Sequence, residues 1–130
     1  IDEYGKKGGK DIYLYAAICQ MELGDAASAL EYVSKYSTSD PIMEGRALAV
    51  KGDAYVNLGE NAKAVKCYEK AAKASDNMFS ATYLLKAGQV YEAMGEDAKA
   101  LAAYKTIKDS YARSIEAYEI DKYISRIEVK

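Results

Sequence analysis

Histidine and tryptophan are missing from this chain of 130 residues, and proline and phenylalanine occur once each. Without histidine the commonest general base and a frequent metal ligand are gone. Cysteine is nearly as scarce: Cys19 and Cys67 stand apart, with no CxxC pair to begin a metal site. Both are read as buried free thiols acting as small hydrophobes, the alternative being a disulfide or a metal site for which no further ligand is at hand. A surplus of positive charge is missing too. Eighteen basic residues face 20 acidic ones for a net charge of −2, so nucleic acid is not expected as a partner. Apolar runs stop far short of the roughly 20 residues a membrane span requires, so these residues do not themselves enter a membrane. Gly8-Gly9-Lys10 carries only the end of a phosphate-loop pattern and no preceding strand, and a linker between helices explains it better. Glu116 and Glu119 lie at helical spacing, as most charges on a solvated helix face do. No catalytic residue, metal or cofactor is assigned, and the chain is not read as an enzyme.

What the chain has in quantity is alanine, tyrosine and repetition. Leu23-Gly24-Asp25, Leu58-Gly59-Glu60 and Met94-Gly95-Glu96 recur at spacings of 35 and 36 residues. Ahead of each glycine stands a small residue, Ala17, Gly52 or Gly88; behind it come Ala29, Ala64 or Ala100, then Val33, Tyr68 or Tyr104. A period of this length marks a solenoid, in which one supersecondary unit stacks on the next and the usual function is contact rather than chemistry.

Punctuation divides the chain into seven helices. The first runs near 11–23, with Ile12, Tyr15, Ala16, Cys19 and Leu23 on its apolar stripe, and stops at Gly24. The second covers about 26–36. Asp40-Pro41 reads as an N-cap followed by proline in the first turn, opening a third helix that reaches Leu58. A fourth spans about Asn61–Ala74, and Ser75-Asp76-Asn77 breaks the chain before a fifth at 79–94 and a sixth at 97–110. The last runs from Ser114 to about Glu128 and carries Ile115, Tyr118, Tyr123, Ile124 and Ile127. No segment alternates as a strand does, so the fold class is all-α. Turns of two or three residues make paired helices antiparallel. Gly52 should then face Ala64, Gly88 face Ala100 and Ala17 face Ala29, with Tyr55, Tyr68, Tyr91 and Tyr104 filling the flanks. The 13 tyrosines are read as core residues with hydroxyls at a wet edge, the alternative being an exposed binding platform.

These residues resemble the tetratricopeptide repeat, a helix–turn–helix unit of about 34 residues. The resemblance implies a right-handed α-solenoid of antiparallel helix pairs. Its repeats are expected at 10–43, 45–78 and 81–113, with a capping helix at 114–130. Residues 1–9 are expected to be the tail of a truncated upstream repeat, because Ile1-Asp2-Glu3-Tyr4-Gly5 looks like the way later units finish. The first unit departs from the pattern at Gln20 and Val33, and the third has Ala112 where a closing proline often stands. Segments 68–72, 83–88 and 119–124 are also similar to bacterial repeat proteins anchored by one N-terminal membrane helix, of the ancillary-translocon type. That narrower likeness implies the periplasmic face of the inner membrane, with a cytoplasmic location as the alternative.

In this family the first helix of each repeat lines a concave groove. The residues so implied are Asp11, Leu14, Ile18, Met21 and Glu22, then Arg46, Ala49, Asp53, Val56 and Asn57, then Thr82, Leu85, Gln89, Glu92 and Ala93. Four acids against one arginine suit an extended or helical peptide with apolar anchors and a basic flank. The family's clamp for a chaperone's C-terminal carboxylate is not expected. Its cationic and amide positions fall here on Leu14, Ile18, Val50, Thr82 and Lys86, and only the last is charged. The expected function is a protein-interaction scaffold holding a peptide or partner segment, within envelope protein biogenesis if the narrower likeness applies. A structural or self-associating domain is the alternative.

Overall fold

The computed structural model of the chain describes residues 11–75 and 79–129. The expected upstream tail at 1–9 and the turn residues Asp76 and Asn77 lie outside the described residues. The described chain is helical throughout, in the order α1 (Asp11–Glu22), α2 (Ala26–Ser34), α3 (Pro41–Asn57), α4 (Asn61–Ser75), α5 (Ser80–Ala93), α6 (Asp97–Ser110) and α7 (Ile120–Glu128), with a short 3₁₀ turn at Glu116–Tyr118 before α7. Each helix packs on the next one along the chain, which is the contact pattern of a solenoid.

Local chemistry sets the helix ends. Gly24, Gly59 and Gly95 have φ of +81°, +78° and +77°, a conformation in which a Cβ is costly. Each closes a helix in the same way: the Gly59 N–H donates to Val56 O at 3.0 Å and the Glu60 N–H to Tyr55 O at 2.8 Å, the two bonds of a Schellman motif. At the opposite ends, Asp25 accepts from the Ser28 N–H at 3.0 Å and the Ser28 hydroxyl at 2.8 Å, which holds its carboxyl below the usual carboxylate range. Asp40 accepts from the Ile42 N–H at 2.9 Å beside Pro41 in the first turn of α3.

Within the second and third pairs the small residue faces the aromatic ring two helical turns past the loop. A Cβ on Gly52 would lie 2.7 Å from Tyr68 Cε1 and 2.9 Å from Cδ1, and one on Gly88 would strike the Tyr104 ring in the same way. The first pair has Ala17 opposite Val33 in the core cluster of α1 and α2. At these positions the first unit thus carries alanine with valine where the later units carry glycine with tyrosine.

Three expectations are corrected. The stripe Ile12, Tyr15, Ala16, Cys19 and Leu23 is not the buried side of α1. Leu14 and Ala17 are buried, whereas Tyr15 and Leu23 are 65% and 77% exposed. This helix is apolar on nearly every side, so periodicity could not select the face, and packing on α2 did. Cys19 moves out with that stripe and is exposed; Cys67 is buried, and both are free thiols. Burial pushes the Cys67 thiol up despite Lys51 and Lys70 nearby.

The last helix begins at Ile120, not Ser114. The Ser114 hydroxyl accepts from the Ala117 N–H at 3.2 Å while donating to Tyr111 O at 2.7 Å, which holds a turn rather than an α-helix. Ile115 and Tyr118 consequently point outward, at 82% and 87% exposure. Ile120, Ile124 and Ile127 form the face that packs against Tyr104 and Ile107. A helix of nine residues is too short to persist alone. Burying three isoleucines, at about 1.5–3 kcal/mol each as an upper bound, holds it in place.

Of the tyrosines, Tyr68, Tyr83, Tyr91 and Tyr104 are core residues, while Tyr15 and Tyr118 are exposed.

Candidate peptide-binding groove

Helices α3 and α5 present successive turns to one open depression of about 540 Å³. Asp53 and Val56 come from α3, and Lys86, Gln89, Val90 and Ala93 from α5, with Gly59 of the turn and Asn61 and Tyr68 of α4 completing the lining. The repeat geometry thus brings together four residues named from the sequence, Asp53, Val56, Gln89 and Ala93.

The electrostatics differ from the simple count of charges. Asp53 receives the Tyr68 hydroxyl and also Lys86 Nζ, at 3.1 and 3.3 Å to its two oxygens. Lys86 lies over the Tyr68 ring as well, 5.8 Å from its centroid. Burial pushes the Tyr68 phenol well up, and its hydrogen bond to Asp53 adds to the effect, so it stays protonated and donates. Further along, Glu92 of α5 is paired with Arg126 of α7, whose guanidinium lies 5.0 Å from the Tyr123 ring centroid. The Thr82 hydroxyl donates to Glu116 Oε2 at 2.8 Å. These cross-links join residues 33 or 34 apart, so the segment 116–128 occupies the place of a next first helix.

Two of the four acids assigned to the groove are therefore neutralised within the chain, and the inner face is less acidic than its sequence list. Lys86 and Arg126, absent from that list, supply the balancing charge. Their signal was the repeat spacing itself, since each lies one repeat beyond its acid. Lys86, held by Asp53, is not free to clamp a terminal carboxylate.

The remaining named residues divide by burial. Leu14 and Ala49, at 3% and 7% exposure, belong to the core and offer no contact surface. Ile18, Met21, Leu85 and Glu92 are half-buried; Asp11, Arg46, Asn57 and Gln89 are exposed. The Asn57 amide is turned back on its own helix, donating to Asp53 O at 3.1 Å. Of the three associated residues, Glu22 and Ala93 are exposed and Thr82 is half-buried.

Among the described residues no three His, Cys, Asp or Glu side chains gather as a metal site would require, and no helix is long and apolar enough to cross a membrane.

Residues 45–78 and 82–114 each match a family model described as tetratricopeptide repeat, together just over half of the chain. Among solved structures the fold is similar to a crystal structure of MamA at 23% identity and a TM-score of 0.70, over 97% of this chain and 81% of that one. A second MamA crystal structure aligns at 25% identity and a TM-score of 0.67, over 95% of this chain and 69% of that one. No curated protein matches the sequence. Repeat spacing, helix pairing and these matches agree: the chain belongs to the tetratricopeptide-repeat family and is a helical scaffold of the protein-interaction kind.

Proposed function

We propose that the concave side of the helix pairs, taken as units at 10–43, 45–78 and 81–113, receives an extended or helical segment of a partner protein. The α3–α5 depression carries this reading, because it sets apolar Val56, Val90 and Ala93 beside the Asp53–Lys86 pair. Apolar atoms there supply contact area, and the ion pair offers one acceptor and one donor to orient a main chain. Ile18 and Met21 of α1, half-buried against the core of the first pair, are taken as further apolar contacts.

The test is peptide selection on the intact chain followed by affinity measurement against a Val56→Glu, Gln89→Lys variant. Loss of about tenfold or more supports the groove. Unchanged affinity for every selected peptide removes it. An envelope setting belongs to the same proposal and rests on the likeness of segments 68–72, 83–88 and 119–124. Fractionation of the tagged natural protein with the cytosol would remove that part alone.

Self-association is a second reading, favoured by one observation. Cys19 and Ala16 stand in α1 at the repeat positions that Ala54 of α3 and Ala87 of α5 fill fully buried. Ala16 is half-buried and Cys19 is exposed. Light scattering across a concentration series, with Cys19→Glu alongside, decides it: a strictly monomeric parent protein ends this reading.

A further inference from the structure

The helix α4 separates its side chains with unusual simplicity. Its buried side is Ala64, Val65, Cys67, Tyr68, Ala71, Ala72 and Ser75. Its exposed residues, apart from Ala62, are the four lysines at 63, 66, 70 and 73. Spacings of three and four residues put all four on one side of a helix. Lys63 is accounted for by Glu60 at 3.8 Å and by the Tyr55 ring at 5.7 Å. Among the described residues none of the other three has an ion-pair partner. On α6, by contrast, Lys105 and Lys108 are matched by Glu128 at 3.9 Å and Asp121 at 2.8 Å. A chain of net charge −2 thus carries a row of three cations with no ion-pair partner among the described residues, and like charges at this spacing oppose the helix that bears them.

A groove opens next to the row at Lys73, the one lysine of the three that lines it, and at Glu69, which is three residues from Lys66 and adjacent to Lys70 in sequence. Two adjoining depressions of about 410 and 360 Å³ run between α4 and α6, sharing Glu69, Leu84 and Thr106. Apolar Ala72, Leu84 and Ala103 lie within it, and Lys73 and Lys99 stand along its sides. Its one acid, Glu69, stands near the Tyr91 phenol, which burial first and then that carboxylate push up to about 12. Lys66 and Lys73 are about 10 Å apart along the axis, or two turns of a helical ligand.

We propose that the α4–α6 groove is a second docking surface, taking an amphipathic helical segment of a partner protein with small apolar residues on one edge and carboxylates on the other. The apolar edge meets Ala72, Leu84 and Ala103, and the carboxylates meet Lys66, Lys70 and Lys73. The recessed position of the apolar atoms fits a narrow ridge rather than the flat surface of a membrane. A single row of cations on a net-acidic chain is too little for a nucleic-acid backbone. This surface is independent of the α3–α5 depression, because Leu84 and Gln89 of α5 open into different grooves.

The probe is a fluorescein-labelled peptide of about 18 residues, roughly five helical turns, with Leu and Ala on one side and Glu beside them at i, i+4 spacing. Anisotropy titrations compare it with a scrambled peptide of equal composition and with vesicles containing phosphatidylglycerol. The intact chain should bind the amphipathic peptide about tenfold more tightly than the scrambled one. The triple variant Lys66→Gln, Lys70→Gln, Lys73→Gln should lose about tenfold in affinity without a lower melting temperature, since like-charge repulsion is relieved. Ala102→Glu, which adds bulk and negative charge to the groove wall, should weaken binding similarly. Equal binding of the scrambled peptide, indifference to the triple variant, absence of binding, or binding of the vesicles alone would each overturn the proposal. An effect of Val56→Glu with none from the lysine variant would overturn it too, and would direct the peptide to the α3–α5 depression.

Discussion

Replacing Gly52 by alanine tests the packing rule that spaces the helix pairs. In an exposed helix this change stabilises by about 1 kcal/mol, through backbone entropy alone. Here the new Cβ would sit 2.7, 2.9 and 3.0 Å from three carbons of the Tyr68 ring, against about 3.5–4.0 Å for an unstrained carbon contact. The ring is buried and its hydroxyl is tied to Asp53, so it cannot swing aside. Overpacking of this kind costs about 1–3 kcal/mol, and contact along the ring places it toward the upper end. The helix gain offsets only part, leaving Gly52→Ala destabilising by about 2 kcal/mol. The decisive comparison is a double-mutant cycle with Tyr68→Val, which imitates the natural pairing of Ala17 with Val33. In the valine background the clash is gone, and Gly52→Ala should become stabilising by about 1 kcal/mol, a coupling of about 3 kcal/mol. Urea denaturation of the four proteins measures it. If Gly52→Ala stabilises the parent protein, or the coupling is below about 0.5 kcal/mol, then steric fit to the ring does not set the pairing.

The two partners of the groove ion pair should not be equivalent. Asp53→Ala strands the buried Tyr68 hydroxyl and should cost about 1–3 kcal/mol. Lys86→Met gives up only an ion pair whose side chains are 38% and 35% exposed, at under about 1 kcal/mol, and similar urea midpoints for the two variants would contradict this. In alkali, the buried phenols should unfold the chain. Tyr91 is pushed up to about 12, and Tyr68, Tyr83 and Tyr104 are also raised, burial being the first cause in each. Their protonated forms are favoured by the fold, so the stability they contribute is complete below the ordinary phenol value of 10.0 and is lost as pH rises through the raised values. Ultraviolet titration should therefore show a late ionisation step coincident with loss of helical circular dichroism. Smooth ionisation with helicity retained would contradict it.

The architecture was open to the sequence because its signals are local. A glycine that must adopt positive φ after each first helix, an N-cap before Pro41 and a fixed interval between small residues depend on nearby backbone geometry alone. They determine the all-helical class, the pairing and the stacking order. The groove was open in part for the same reason: Asp53, Val56 and Gln89 recur at the spacing that turns them to one side.

What the sequence left undecided depended on which neighbour each residue meets. Apolar residues surround α1, so only contact with Ala29 and Val33 could select Leu14 and Ala17 for burial and leave Cys19 and Leu23 outside. A serine hydroxyl at 114, competing with the backbone, delayed α7 until the three isoleucines could reach Tyr104 and Ile107. Net charge concealed both the cross-repeat pairs that neutralise Asp53 and Glu92 and the lysine row on α4. Charge along a chain adds without regard to position, whereas its effect on a partner falls off within about 10 Å, and only the tertiary structure sets those distances.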